Sequence, residues 1–234
     1  MAAARRGHLV WLLGAAALGF LLPAAFAGAL GLPRNLYLVP YVGLVLVFLA
    51  AYARWAAVPP IETVRRRWAR GAAGALVVGA VMLRHVRSQP PSASPEGFGL
   101  VFALVWPGLV YGVVDGLFLS VMPVVAARRM AGADGRLGRV RTAAAALLAS
   151  ALVTAAYHLG YPEFRGAAVL GPVAGNSALT AAYLLTGSPV AAVGGHVIMH
   201  VAAVLHGIDT TVQLPPHAGG PEGRREPARF TAGR

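Results

Sequence analysis

The sequence predicts an all-α membrane protein with six or seven transmembrane helices. Hydrophobic residues make up 57% of the chain and charged residues only 12%, whereas soluble domains carry about 25% charged residues. The mean hydropathy is +0.65, and several windows reach the roughly 20 apolar residues that cross a bilayer. These windows must be helices, because their apolar runs are too long for barrel strands and backbone groups in lipid need internal hydrogen bonds.

Apolar segments follow one another along the chain, separated by proline-rich or arginine-rich loops. The first could also be a signal peptide, because Arg5 and Arg6 precede it and residues 24–27 resemble a cleavage site. Its length and the segments that follow favour an uncleaved helix. We predict one helical membrane domain, residues 1–208, and a disordered tail rich in Pro, Gly and Arg, residues 209–234. The predicted spans are 8–31, 35–57, 71–86, 99–127, 142–161, 167–185 and 190–208.

Three of these spans have features of their own. The second carries aromatic residues near both ends, as expected at a membrane interface: Tyr37, Tyr41, Tyr52 and Trp55. The third is short, and a re-entrant segment there would leave six spans. The fourth contains Pro107 and Pro123 and is long enough that it must tilt, kink or break. We favour seven spans.

The positive charge of the chain indicates membrane topology rather than nucleic-acid binding. The formal net charge is +12 and all 20 basic residues are arginines, clustered in loops at residues 65–70 and 128–141. Cytoplasmic loops carry such clusters, so we predict a multi-pass protein of the cell membrane with a cytoplasmic N-terminus and the lipid bilayer as partner. The chain has no cysteine, which excludes disulfides and thiolate ligands.

Ionisable residues inside the apolar spans are the candidate functional residues. Asp115 is the only acid within a span, and His158, His196, His200 and His206 also lie in apolar stretches. Such groups cost several kcal/mol in lipid unless they find a partner or water. We therefore predict an intramembrane polar site, with His206 closer to the water interface.

His196 and His200 are four residues apart, so both side chains lie on one face of a helix. This spacing suits two ligands of a divalent metal such as zinc, although each histidine could instead bond a neighbouring carbonyl. Asp115 suits a general base or a metal ligand, or a protonated carboxyl that bonds between helices. Gly112 and Gly116 beside it allow another helix to approach closely.

Two other polar residues in the spans have ordinary structural interpretations. We interpret Asn176 as a hydrogen-bonding link between helices, and Tyr157 as a packing residue. Neither assignment needs a reaction or a ligand.

Three short motifs resemble those of the CPBP intramembrane proteases, a family that includes CAAX prenyl proteases and bacteriocin-processing or immunity proteins. The stretch 114–120 (VDGLFLS) lies where that family has Glu-Glu-x-x-Phe-Arg-Gly. Thr154 to His158 is similar to its Phe-x-x-x-His motif, and His196 to His200 to its His-x-x-x-Asn/Asp motif. The resemblance covers roughly residues 99–207 and implies a peptide or membrane-protein substrate.

The first motif departs from the family pattern, because Val114 replaces the first glutamate and Leu119 replaces the arginine. The resemblance implies that the remaining acid activates water while the histidines stabilise an oxyanion or hold a metal. The candidate catalytic and metal-binding residues are thus Asp115, His158, His196 and His200. A hydrolase without a cofactor or with a divalent metal, a non-catalytic immunity or scaffolding protein, and a metal or proton carrier all remain open.

Overall fold

The computed structural model describes residues 2–58, 67–131, 135–209 and 212–216. Within these ranges it contains no strand and seven helices that are long and apolar enough to cross a membrane. The predicted all-α polytopic architecture is confirmed. The spans are α1 (Arg5–Ala29), α2 (Arg34–Trp55), α3 (Trp68–Arg87), α4 (Gly97–Ala131), α5 (Gly135–Leu159), α6 (Gly166–Thr186) and α7 (Pro189–His206).

The short third segment is a full helix. α3 begins at Trp68 rather than at residue 71, which gives it 20 residues, and it packs along α7. Two predictions lie at least partly outside the described residues: the arginines at 65 and 66, and the disordered tail at residues 210, 211 and 217–234.

α4 is the central helix of the bundle. It has 35 residues, and 67% of its most apolar stretch is buried, compared with 22% to 39% in the other spans. It contacts α1, α2, α5, α6 and α7. A polar side chain on α4 therefore meets protein groups rather than lipid, which makes this helix the natural place for a site.

α4 does not break at its prolines but changes its helical winding. It contains two π-helical stretches, Leu104–Val110 and Gly116–Val121, separated by the α-helical segment Tyr111–Asp115. Pro107 lies in the first stretch and Pro123 follows the second. A proline inside a helix removes one N–H donor and clashes with the carbonyl four residues earlier, so the hydrogen-bond register shifts locally.

The outer faces of the helices are apolar. Leu76, Val77 and Leu148 expose between 69% and 71% of their surface, and most large exposed side chains on the spans are Leu, Val or Phe. A water-soluble bundle would place polar residues there, whereas lipid accepts these side chains.

The described part of the tail packs against one end of the bundle. Residues 212–216, called here the C-terminal segment, lie where α2 begins and α7 ends, and this end is called the Arg34 side. The buried Arg34 guanidinium donates hydrogen bonds to the carbonyl oxygens of Ile208, at 2.8 Å, and of Pro215. Leu214 is only 2% exposed.

Candidate functional site

Three side chains of the predicted site meet in the middle of the bundle. Asp115 on α4 faces His196 and His200 on α7, and one potential ligand atom from each lies within 4.8 Å of the other two. The distance between Asp115 Oδ2 and His200 Nε2 is 3.9 Å. All three residues are at most 3% exposed.

Two glycines let α4 and α7 approach closely enough for this grouping. A Cβ atom on Gly116 would come within 2.8 Å of the Val193 Cα, and one on Gly112 within 3.1 Å of the Val197 Cα. Both contacts are with the backbone of α7, which cannot rotate away. The small residues on either side of Asp115 therefore place its carboxyl group against the histidine face of α7, as their spacing predicted.

Asp115 is the last residue of the α-helical segment between the two π-helical stretches of α4. π-helical turns are rare and are found frequently at functional sites. They also turn successive side chains by a different angle from an α-helix, so Asp115 and the residues after it reach α7 and α6 in an orientation that ordinary helical periodicity does not give.

His158 lies outside this group. Its Nδ1 is 2.8 Å from the carbonyl oxygen of Thr154, one turn earlier in α5. The ring makes edge-to-face contacts with Tyr157 and Phe164, and the side chain is half-buried. The structure thus brings together three of the four predicted residues. In the fourth, His158, one ring nitrogen bonds a carbonyl oxygen of its own helix.

Asp115 is also contacted by tyrosines that sequence reasoning did not include in the site. The Tyr41 hydroxyl donates a hydrogen bond to Asp115 Oδ1 at 2.9 Å, and the Tyr111 hydroxyl faces the same carboxyl group. The prediction of interfacial aromatic residues on α2 is wrong for Tyr37, Tyr41 and Tyr52, which are at most 3% exposed and bond other protein groups, whereas Trp55 is 46% exposed.

The hydroxyl groups continue away from the site as a chain. Tyr111 and Tyr157 bring their oxygens to 2.5 Å, and Tyr157 and Tyr161 to 2.9 Å. Tyr41, Tyr111, Tyr157 and Tyr161 are called the tyrosine chain below. Tyr157 was interpreted as a packing residue, and its hydroxyl in fact joins two others. The signal that could have identified it is the i, i+4 pair that it forms with Tyr161.

The tyrosine chain ends at a cavity on the Arg34 side. The cavity has a volume of ≈ 200 Å³, and its lining includes Tyr161, Glu163 and Pro216. Tyr161 follows the end of α5. Burial raises the pKa of its phenol well above the ordinary value, and the neighbouring Tyr157 adds to this, so the hydroxyl stays protonated at neutral pH.

A second polar network lies on the other side of the site and is centred on Asn176 of α6. Its members are all buried and come from three helices: Ser120, Ser150, Thr154, Asn176 and Thr180. The Asn176 Oδ1 is 3.0 Å from His196 Nε2. We call this set the amide network. The prediction of Asn176 as a link between helices is confirmed, but the residue also contacts the site itself.

Three nitrogens of the site have no hydrogen-bond partner of normal geometry among the described residues: Nδ1 of His196 and both ring nitrogens of His200. The backbone of Gln213, in the C-terminal segment, approaches the His200 ring. Buried polar atoms are normally paired, and the exceptions often mark the place of a water molecule or an ion.

The donor set fits zinc better than it fits magnesium or calcium, because two of its three groups are imidazoles. Donor atoms around a tetrahedral zinc ion lie roughly 3.3 Å apart. The pair formed by Asp115 and His200 is 3.9 Å apart, and the three ligand atoms lie within 4.8 Å of one another. On binding, these separations would close by roughly 0.6 Å for the first pair and by up to about 1.5 Å for the others. Asp115, His196 and His200 would then hold the ion and leave one coordination position open.

His206 lies at the end of α7, away from this group. Its Nε2 is 2.8 Å from the carbonyl oxygen of Gln89, in the loop after α3. The side chain is half-buried, and its place near the membrane interface stays a prediction.

No protein-family model matches this chain, and no curated protein or solved structure matches it. The resemblance to the CPBP proteases therefore rests on the three short motifs alone.

Proposed function

We propose that this protein is an intramembrane endopeptidase of the CPBP type, in which Asp115, His196 and His200 activate water against a peptide bond. The observation that supports the proposal best is the meeting of these three side chains, from two helices, in the centre of the bundle. Nothing about α4 and α7 requires this for packing alone, since apolar residues would fill the same space without the cost of burying polar groups.

Each residue has a role in the proposed reaction. The Asp115 carboxylate accepts a proton from a water molecule while the water oxygen attacks the carbonyl carbon of the substrate. His200 donates a hydrogen bond to the oxygen of the tetrahedral intermediate, and His196 accepts a hydrogen bond from the second proton of the attacking water. When the C–N bond breaks, the proton held by Asp115 passes to the leaving amine, which balances the reaction. A zinc ion, where bound, would lower the pKa of the water.

The tyrosine chain supplies a hydrogen-bond donor to the Asp115 carboxylate, which a base in a dry site needs. A hydroxyl that donates to the carboxylate stabilises its ionised form in a dry site, and the Tyr41 hydrogen bond to Asp115 does this from α2. Asp115 is one methylene shorter than the glutamate of the family motif. We expect the close approach at Gly112 and Gly116 to compensate for this length.

The test is cleavage by the purified full-length chain in phosphatidylethanolamine/phosphatidylglycerol vesicles. The substrates are a panel of single-span model peptides, some prenylated near one end, and new termini are detected by mass spectrometry. We expect cleavage by the wild type that falls by about 10²- to 10⁴-fold in Asp115→Asn. Glu96→Gln, an exposed acid just before α4, is the matched control and should leave the rate unchanged.

Cleavage that persists in Asp115→Asn would contradict the assignment of the base. A wild-type protein that cleaves no peptide of the panel would contradict the endopeptidase proposal itself. Adding zinc or a chelator to the same assay shows whether the reaction needs the metal.

A second candidate function is a proton or metal carrier, and the tyrosine chain favours it. Hydroxyl groups lead from Asp115 to the cavity at Tyr161, and the amide network continues from His196 into the other half of the bundle. A carrier needs polar groups strung across the membrane in this way. Vesicles with an internal pH dye would show proton flux that falls in Tyr157→Phe. Failure of both assays would leave a non-catalytic immunity or scaffolding function.

A further inference from the structure

The hydrogen bonds of Asn176 fix the orientation of its side-chain amide. Its Nδ2 lies 3.2 Å from the Leu119 carbonyl oxygen, 2.8 Å from Ser150 Oγ and 2.6 Å from Thr154 Oγ1. A backbone carbonyl oxygen can only accept hydrogen bonds. If the amide were flipped, its oxygen would face the Leu119 oxygen and both would be acceptors. The NH₂ group must therefore point to this side.

The Leu119 carbonyl oxygen can accept hydrogen bonds from side chains because of the local geometry of α4. Leu119 lies in the π-helical stretch Gly116–Val121, where the backbone hydrogen-bond register of α4 is shifted. Its oxygen accepts a second hydrogen bond, from Ser150 Oγ at 2.7 Å. Because the Ser150 hydroxyl donates its proton to the Leu119 carbonyl oxygen, the Ser150 oxygen is free to accept a hydrogen bond from Asn176 Nδ2. The two N–H groups of the Asn176 amide are then shared among three acceptors, the Leu119 carbonyl oxygen, Ser150 Oγ and Thr154 Oγ1.

The amide oxygen of Asn176 consequently faces the site. It accepts a hydrogen bond from Ser120 Oγ at 2.8 Å and lies 3.0 Å from His196 Nε2. Since an amide oxygen cannot donate, the proton of that second hydrogen bond must belong to His196 Nε2. In a neutral imidazole only one nitrogen carries a proton, so the lone pair is then on Nδ1.

Nδ1 of His196 is also the nitrogen that has no partner among the described residues, and it is buried. Histidines that bind a metal almost always donate their other N–H to an oxygen of the protein, which fixes both the tautomer and the ring orientation. The bond between His196 and Asn176 has this arrangement.

We propose that Asn176 is a positioning residue that holds His196 in the Nε2-protonated tautomer and directs the Nδ1 lone pair to the water or divalent metal ion shared with Asp115 and His200. This inference deepens the proposed function and rests on it for the chemistry that the lone pair serves. The tautomer itself follows from the hydrogen bonds alone. Asn176 touches no substrate and acts through His196.

The test is ¹⁵N NMR of the full-length chain in lipid bilayers, with only histidine labelled, because protonated and unprotonated ring nitrogens differ clearly in chemical shift. Comparison with His196→Gln assigns the signals among the seven histidines. We expect a protonated Nε2 and an unprotonated Nδ1 at His196 in the wild type. A protonated Nδ1 there would overturn the proposal, whatever the variants do.

Two variants separate positioning from a general loss of structure. Ser120→Ala removes the other donor on the same amide oxygen and should leave the His196 tautomer unchanged. Asn176→Leu removes the acceptor, so His196 should lose its single tautomer and show a mixture. An unchanged single tautomer in folded Asn176→Leu would contradict the role of Asn176. If that variant does not fold, the wild-type and Ser120→Ala spectra decide the question.

The result is independent of the cleavage assay. The expected tautomer without cleavage of any peptide would leave the positioning of His196 in place and remove the endopeptidase. Cleavage that depends on Asp115, in a protein whose His196 carries its proton on Nδ1, would support the endopeptidase and remove the positioning role of Asn176.

Discussion

The polar groups on the two sides of Asp115 differ in kind. Toward the Arg34 side they are tyrosine hydroxyls, carried on large rings that also fill the space between α2, α4 and α5. On the other side they are the small side chains of Ser120, Ser150 and Thr180 around the amide of Asn176. Both sides are buried, and the tyrosine chain reaches the site at Asp115 whereas the amide network reaches it at His196.

The difference has a physical consequence. A tyrosine that loses its hydroxyl still packs as a phenylalanine, so the tyrosine chain keeps most of its burial energy without its hydrogen bonds. Serine, threonine and asparagine contribute little apolar area, and their contacts are almost entirely hydrogen bonds between helices. We therefore expect the amide network to be important for holding α4, α5 and α6 together, and the tyrosine chain to be more important for the chemistry at Asp115.

The largest expected effect comes from a change that disrupts both sides at once. In Gly116→Leu the new side chain would collide with the α7 backbone, since even a Cβ atom would lie 2.8 Å from the Val193 Cα. Overpacking of this kind typically costs about 1–3 kcal/mol. We expect a free energy of unfolding, measured in mixed micelles, that is lower by at least this amount, together with loss of cleavage.

Gly175→Leu is the matched control for this change. It introduces the same side chain at a helical glycine of α6 where a Cβ atom would meet no other atom within 4 Å. Its free energy of unfolding should equal that of the wild type or exceed it slightly, because leucine favours a helix more than glycine does. Equal destabilisation by the two variants would contradict the close approach of α4 and α7.

A smaller effect is expected from Ser150→Ala in the amide network. The hydroxyl makes three contacts, with the Leu119 carbonyl, Asn176 Nδ2 and Thr180 Oγ1. Hydrogen bonds between membrane helices contribute about 0.6 kcal/mol each on average, so the free energy of unfolding should fall by about 2 kcal/mol. Ser177→Ala is the control, because within the described ranges Ser177 Oγ bonds only the Val173 carbonyl of its own helix. It should change the stability little.

Tyr157→Phe tests the other side of the comparison. It removes hydrogen bonds to Tyr111 and Tyr161 but keeps the ring, which is 1% exposed. We expect a loss of about 1 kcal/mol in the free energy of unfolding, less than in Ser150→Ala, with a larger fall in the cleavage rate. The reverse order, with stability more affected than the rate, would show that the tyrosine chain is mainly structural.

The sequence predicted the architecture well because lipid allows few alternatives. Apolar length and arginine clustering located all seven spans, including α3, which the sequence left open as a re-entrant segment. The helical spacing of His196 and His200, and the glycines beside Asp115, predicted correctly that these residues share faces that can meet. These are local rules, so one chain is enough to apply them.

Other parts of the site could not be predicted from local sequence rules. The π-helical stretches of α4 change which residues face α6 and α7, and no periodicity in the sequence predicts these stretches. Tyr41 is near the end of an apolar span, where aromatic residues commonly face the membrane interface, and only its contact with Asp115 shows a different role. His158 resembled a site residue through its motif, but its rotamer bonds the Thr154 carbonyl.

The smallest effect on overall stability is expected at the Arg34 side, where the change is local. Arg34→Gln removes the guanidinium that donates to the carbonyl oxygens of Ile208 and Pro215. The C-terminal segment then keeps the burial of Leu214 and the hydrogen bond of Tyr37 to the Pro216 carbonyl oxygen, at 2.6 Å. We expect the segment to detach more often while the seven helices stay folded.

The absence of native cysteine makes this detachment measurable. Leu214→Cys places one thiol at a position that is 2% exposed in the wild type, and its rate of reaction with a water-soluble maleimide reports how often the segment opens. The rate should rise several-fold when Arg34→Gln is added. Val212→Cys, at a position that is 55% exposed, should react quickly in both backgrounds. Because the backbone of Gln213 approaches His200, a parallel rise in cleavage would mean that this segment limits access to the site, whereas faster labelling with unchanged cleavage would assign it a structural role only.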